Sequence, residues 1–121
     1  MKVLAAARHP GSAEAIGPVV EELRAQGHEV LLIGVDGDLP HTRGFGGSAA
    51  VLRAQGVAFV ELYDSGYSGG VMDVPESYGL DLIRSFGPAS ILVGCSTWQR
   101  EGRAAIEEVL NALIFARPIR S

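Results

Sequence analysis

The fold is decided by the stretch Lys2-Val3-Leu4-Ala5-Ala6-Ala7-Arg8-His9-Pro10-Gly11-Ser12-Ala13-Glu14. Its apolar run, Val3 to Ala7, is typical of a central parallel strand that is covered on both faces. The Pro-Gly pair predicts a sharp turn, after which a helix starts. Such a turn is expected to leave backbone N–H groups free at the helix N-terminus, where the helix dipole favours an anion or a polar ligand. We therefore expect the functional site at this turn.

The segment after the turn has the spacing of an amphipathic helix. Its apolar residues recur at i, i+3, i+4 and i+7, namely Ile16, Val19, Val20 and Leu23. Pro18 lies inside this pattern, so the helix is expected to begin near it or to bend there. Gly27 is the expected end of the helix. The same five residues, Leu-Arg-Ala-Gln-Gly, occur at 23–27 and again at 52–56, which predicts two helices with the same type of ending.

Strands and helices continue to alternate along the rest of the chain. The predicted strands span residues 28–34, 57–62 and 90–94, and the predicted helices span residues 48–53, 73–86 and about 100–113. Ser48 is the expected cap of the second helix, and Pro75 is expected in the first turn of the third. Two glycine-rich loops, 36–47 and 64–74, separate these elements. The second loop, with Tyr63 and Tyr67, is either a lid over the site or a loose connection.

This alternation predicts an α/β fold. We expect a three-layer sandwich around a Rossmann-like parallel sheet of four to five strands, the fifth from the segment after Phe115. The expected strand order is 3-2-1-4(-5), because it brings the ends of the first and fourth strands side by side. Ligands of open α/β sheets bind at such a switch point. At 121 residues, the chain is expected to form one domain, 1–121.

Composition excludes several classes of protein. The formal net charge of −4 and the scattered basic residues argue against a nucleic-acid partner. No run approaches the roughly 18 apolar residues that cross a membrane. The single cysteine, Cys95, excludes a disulfide framework and a cysteine-built zinc site, and fits the cytoplasm. Lys2 is the only lysine, so there is no P-loop, and the three glycines of a dinucleotide motif are missing. We expect no metal and no cofactor.

The sequence also resembles a known family. Arg8-His9-Pro10-Gly11-Ser12, with the run from Pro18 to Gly27-His28-Glu29-Val30, resembles the N-terminal half of glycosyltransferases of the two-Rossmann-domain (GT-B) type. The chain is also similar to bacterial polysaccharide-biosynthesis proteins of the UDP-sugar 2-epimerase-like kind. In these proteins a strand that ends in Gly-Thr/Cys-Ser precedes a helix with a glutamate, as in Gly94-Cys95-Ser96 and Glu101.

The resemblance implies a domain that binds a sugar or nucleotide-sugar. It also implies a second Rossmann domain, for which the 121 residues leave no room. The chain is therefore expected to be an isolated or truncated N-terminal half. Any enzymatic activity would be glycosyltransferase- or epimerase-like, and we do not expect catalysis by this chain alone.

The first group of candidate site residues follows the first strand. The imidazole of His9 could act as a general base or could bind a sugar. Alternatively, His9 is simply a polar residue of the turn. Gly11 and Ser12 would bind an anion or a hydroxyl group, or would form a tight turn with a serine cap. Glu14 is the second candidate base, although an acid in a first helical turn more often stabilises the helix dipole.

The second group follows the fourth strand. The expected ligand-binding residues here are Gly94, Cys95, Ser96, Thr97 and Trp98. The two hydroxyl groups would bind a ligand or cap a helix, and the indole would stack on a ring or pack on the helix. Cys95 precedes Arg100 by one residue too few for the phosphatase loop, so we expect a half-buried thiol rather than a nucleophile.

Two other functions stay open. The chain could be a non-catalytic assembly module, either a homodimer or one that receives a second domain from another chain, through an exposed sheet edge or an apolar helix face. It could also be a small stand-alone enzyme, with His9 or Glu14 as the general base.

Overall fold

A computed structural model describes residues 1–37, 46–69, 74–93 and 106. Within these residues the chain forms an all-parallel sheet of four strands in the order β3-β2-β1-β4. The strands are β1 (Lys2–Ala6), β2 (Glu29–Gly34), β3 (Val60–Glu61) and β4 (Ser90–Val93). The helices are α1 (Pro10–Ala25), α2 (Ser48–Gln55) and α3 (Glu76–Phe86), and a 3₁₀ turn spans Leu62–Ser65. The predicted α/β class and strand order are confirmed.

Strand β1 is the centre of the sheet. It lies between β2 and β4, so that Leu4 stands opposite Leu31 on one side and Ile91 on the other. All of β1 except Lys2 is buried. This explains why its sequence is continuously apolar, since both faces of a central parallel strand are covered.

Two apolar cores lie on opposite faces of the sheet. Alternate residues of β1 belong to different cores, as the pleat of a strand requires. One core packs the sheet against α1 and α2, and includes Val3, Ala5, Ile16, Val20, Leu32 and Leu52. The other packs it against α3, and includes Leu4, Ala6, Ile33, Tyr67, Leu82 and Ile106. The chain therefore has the three layers that the sequence predicts.

Helix α1 starts at the Pro-Gly turn itself and not near Pro18. Pro10 is its first residue, and Pro18 lies inside it on the exposed side. Pro18 has no N–H to donate to the carbonyl of Glu14 one turn earlier. Both residues are exposed, so water can bind this carbonyl and the helix tolerates the proline.

The two helices that share the Leu-Arg-Ala-Gln-Gly sequence end with the same pair of hydrogen bonds. In α1 the N–H of Gly27 donates to Arg24, and the N–H of His28 donates to Leu23, each at 3.0 Å. In α2 the N–H of Gly56 donates to Arg53 at 3.1 Å, and the N–H of Val57 donates to Leu52 at 3.0 Å. Both glycines have a positive φ, +90° and +73°. This is the Schellman ending, and it confirms the predicted common type of ending.

Some boundaries differ from the prediction. Strand β3 covers only Val60–Glu61 of the predicted 57–62, because the N–H of Val57 closes α2 and Leu62 already starts the 3₁₀ turn. Helix α3 has Pro75 as its N-cap rather than within its first turn, and it ends at Gly87 as expected. Of the predicted helix 100–113 the structure describes Ile106 alone, which is helical and fully buried. The predicted fifth strand lies outside the described residues.

Candidate functional site

A charged residue, Arg8, is buried just after the end of β1. Arg8 follows the apolar run and is only 6% exposed. Its carbonyl accepts the N–H of Ser48 at 3.2 Å, which joins the end of β1 to the start of α2. Arginine is almost never this buried unless it is paired, so the position marks a polar centre inside the fold. No local pattern in the sequence indicates this burial, because Arg8 directly follows the end of an apolar run.

His9 is the N-cap of α1. Its Nδ1 accepts the N–H of Gly11 at 3.1 Å and that of Ser12 at 3.4 Å. Pro10, the first helical residue, has no N–H, so the first three helical positions offer no free donor. The expected free N–H groups are thus absent, because a side-chain acceptor already satisfies them. An acceptor nitrogen holds no proton, so neutral His9 carries its proton on Nε2. Nδ1 is committed to the helix and not to base catalysis.

Gly11 supports this cap. A Cβ on Gly11 would lie 3.0 Å from Cε1 and 3.2 Å from Nδ1 of His9. The absence of a side chain allows the imidazole to fold back onto the helix N-terminus. The structure therefore gives Gly11 a role in the conformation of the turn.

Ser12 has a buried hydroxyl group that stabilises no other described part of the fold by a hydrogen bond. It is 4% exposed, and its Oγ makes no hydrogen bond within the part of the chain that the structure describes. An unsatisfied buried polar group costs about 1–3 kcal/mol. A group of this kind requires an explanation, and one is a ligand that supplies the missing partner.

Ser48 is also a buried serine, but its hydroxyl both donates and accepts a hydrogen bond. Its Oγ donates to the carbonyl of Ala7 at 2.7 Å and accepts the N–H of Val35 at 2.8 Å. It is the first residue of α2, after Gly47, and its hydroxyl makes no cap hydrogen bond, so the predicted capping role is wrong. The hydroxyl instead bonds the carbonyl of Ala7 and the N–H of Val35, which lie just after the ends of β1 and β2 and do not bond each other.

Glu14 is not brought to His9. Its side chain is exposed on α1 and makes no hydrogen bond or ion pair with any residue of the described ranges. Because α1 starts at Pro10, Glu14 lies beyond the first turn, where its effect on the helix dipole is weak.

The second predicted group follows β4. Val93, the last residue of β4, stands opposite Ala6 near the end of β1, so the two strands end side by side. The five candidates themselves, Gly94, Cys95, Ser96, Thr97 and Trp98, lie outside the described residues.

A third polar region lies where β3 ends. Glu61 accepts the N–H of Tyr63 at 2.6 Å and the N–H of Asp36 at 3.2 Å, which ties the ends of β2 and β3 together. Burial, with the charge of Glu61 as a smaller cause, raises the pKa of Tyr63 above 10.0. Burial also raises the pKa of Tyr78, where the hydrogen bond to Ser65 opposes the shift and the charge of Glu61 adds a smaller contribution to it. Tyr67 is 7% exposed and belongs to the core, so the chain at this residue is not a loose connection.

The described residues contain no group of three or more histidine, cysteine, aspartate or glutamate side chains that could hold a metal ion. None of the helices in the described ranges is long and apolar enough to cross a membrane. Comparisons with protein-family models, with curated proteins and with solved structures found no match.

Proposed function

We propose that this chain binds a small polar ligand where β1 and β4 end side by side, and that the ligand is a sugar or nucleotide-sugar in the cytoplasm. The observation that carries the proposal is the hydroxyl of Ser12, which is buried in the first turn of α1 and lacks a hydrogen-bond partner among the described residues. The strand order supports it, because ligands of open α/β sheets bind at the point where the order reverses.

Arg8 favours a ligand with a phosphate. It is buried at the end of β1, four residues before Ser12. A guanidinium group matches the geometry of phosphate oxygens and is weakly hydrated, so it suits a buried anion better than an ammonium group does. A nucleotide-sugar has both the phosphates and the hydroxyl groups for such a site.

The cap by His9 limits which groups of the protein could bind the ligand. Since Nδ1 of His9 occupies the N–H groups of Gly11 and Ser12, side chains rather than the helix N-terminus would hold the ligand. The sugar specificity rests on the resemblance to GT-B N-terminal halves. Catalysis by this chain alone is not part of the proposal.

The test is thermal unfolding against a panel of nucleotides, nucleotide-sugars, free sugars and flavins. A ligand at 100 times its Kd stabilises by about 2.7 kcal/mol, a shift of several degrees for a domain of about this size. The informative variant is Ser12→Ala, which should fold as well as the parent and lose most of the ligand shift. Ser85→Ala, near the end of α3, is the matched control and should keep the shift.

The outcome separates the alternatives. A shift with nucleotide-sugars that Ser12→Ala loses supports the proposal. No shift with any compound would reject the ligand-binding function, and the mass of the protein as a function of concentration would then test the assembly module. Gly11→Glu is a poor probe, because any side chain at residue 11 crowds the ring of His9.

A further inference from the structure

A separate cleft of about 450 Å³ lies between the segment after the 3₁₀ turn and the start of α3. Tyr67 and Ser68 line one side, and Ser77, Tyr78 and Asp81 line the other. Its volume falls within the range of small-molecule sites, about 300–1,000 Å³. None of its described lining residues belongs to the proposed site between β1 and β4.

Aromatic rings form the fixed part of this cleft. The ring centroids of Tyr67 and Tyr78 are 5.0 Å apart, with the planes inclined by 53°. The hydroxyl of Tyr78 is hydrogen-bonded to Oγ of Ser65, and that of Tyr63 donates to the carbonyl of Gly69 at 2.9 Å. These contacts hold the rings in place before any ligand arrives, so little conformational entropy is lost when one binds.

The charge of the cleft is negative. Asp81 is its one charged lining residue among those the structure describes, and it makes no ion pair with another described residue. Glu61 adds to the negative potential, since its charge acts on Tyr63 and Tyr78. An anionic ligand would be repelled here, whereas a cation would be attracted by the carboxylate and by the partly exposed ring of Tyr78.

We infer that this cleft binds an alkylammonium ion, whose charged nitrogen lies between the ring of Tyr78 and the carboxylate of Asp81. The hydroxyl groups of Ser68 and Ser77 would serve polar substituents of the same ligand. This site is independent of the proposed function, because it uses different residues and attracts the opposite charge.

The test is a titration of the ¹⁵N-labelled protein followed by NMR. Choline is the quaternary probe, ethanolamine is the primary probe, and 3,3-dimethylbutan-1-ol is the uncharged analogue of choline. We expect saturable amide shifts at Ser68, Ser77 and Asp81 with an ammonium probe and none with the alcohol. Asp81→Asn should weaken binding by about two- to fivefold, as expected for one charge contact of an exposed carboxylate.

Asp64→Asn is the matched control, because Asp64 is a nearby exposed acid that does not line the cleft. It should leave the affinity unchanged. Equal binding of the alcohol, an equal effect of both asparagine variants, or no shift with either ammonium probe would each overturn the inference. Shifts at Gly11 and Ser12 instead would place the cation at the other site and would also overturn it.

Discussion

The hydroxyl of Ser48 lies between the carbonyl of Ala7 and the N–H of Val35 and bonds to both, at 2.7 and 2.8 Å. Continuing the register of β1 and β2 by one residue would pair Ala7 with Gly34, and the N–H of Val35 would then donate directly to Ala7. The serine replaces this next bond of the ladder. The two strands thus separate after their carboxyl ends, and neither the carbonyl of Ala7 nor the N–H of Val35 is left unsatisfied.

The first prediction compares the two buried serines. Ser48→Ala leaves the carbonyl of Ala7 and the N–H of Val35 without their partner, so it should lower the free energy of unfolding by about 1–3 kcal/mol. Ser12→Ala removes a hydroxyl that has no described partner, and stability should be unchanged or higher by up to about 1 kcal/mol. Urea denaturation of both variants measures the difference. An equal loss in the two would mean that Ser12 is satisfied, which would remove the basis of the proposed ligand site.

The second prediction concerns the cap of α1. His9→Ala removes the acceptor of two backbone N–H groups and should cost about 1 kcal/mol, within the usual range of about 0.5–2 kcal/mol. His9→Asn supplies a good N-cap side chain and should restore the stability of the parent. Chemical denaturation measures this. If His9→Asn were as unstable as His9→Ala, the imidazole would stabilise the fold by some contact other than the cap.

The third prediction tests the common helix ending. Gly27→Ala and Gly56→Ala each place a Cβ in left-handed backbone, with open space around it, so conformational strain alone should cost about 1–2 kcal/mol. The two losses should agree within about 0.5 kcal/mol. Asparagine tolerates this conformation better, so Gly27→Asn should cost less than Gly27→Ala. Thermal unfolding measures all three, and a large difference between residues 27 and 56 would contradict equivalent endings.

The fourth prediction is a loss of stability at alkaline pH. Burial raises the pKa of Tyr78 above its ordinary value of 10.0, so the folded state holds the phenolic proton more tightly than the unfolded chain does. This contribution is complete below pH 10 and is lost as the pH rises through the higher pKa of the folded state. Tyr78→Phe should therefore show a shallower decline in unfolding free energy above pH 10. A decline as steep as that of the parent would show that Tyr78 is not the group responsible.

The sequence was sufficient for features that depend on local pattern. The apolar run of β1 requires cover on both faces, and this places it at the centre of a parallel sheet. Gly27 and Gly56 could be recognised as helix ends because only a residue without a Cβ adopts their backbone conformation easily. The strand order could be predicted from the general rule that, in such sheets, the order of the strands reverses beside the first strand.

Features that depend on distant contacts could not be predicted. Ser48 carries the signature of a helix cap, but the unpaired ends of two strands, 13 and 41 residues away along the chain, compete for its hydroxyl. The burial of Arg8 likewise depends on elements that follow it in the chain. The cap by His9 is local, yet histidine is not a preferred N-cap residue, so propensity gave no indication of it.

Ile106 has a consequence for how this protein can be divided. Its side chain is fully buried in the core that also contains Leu4, Ile33 and Leu82, on the face of the sheet that α3 covers. A fragment that stopped after β4 would contain every described strand and still expose this core to water. We therefore expect a fragment that ends at Val93 to be less stable than the full chain, because it lacks a side chain that is fully buried in this core.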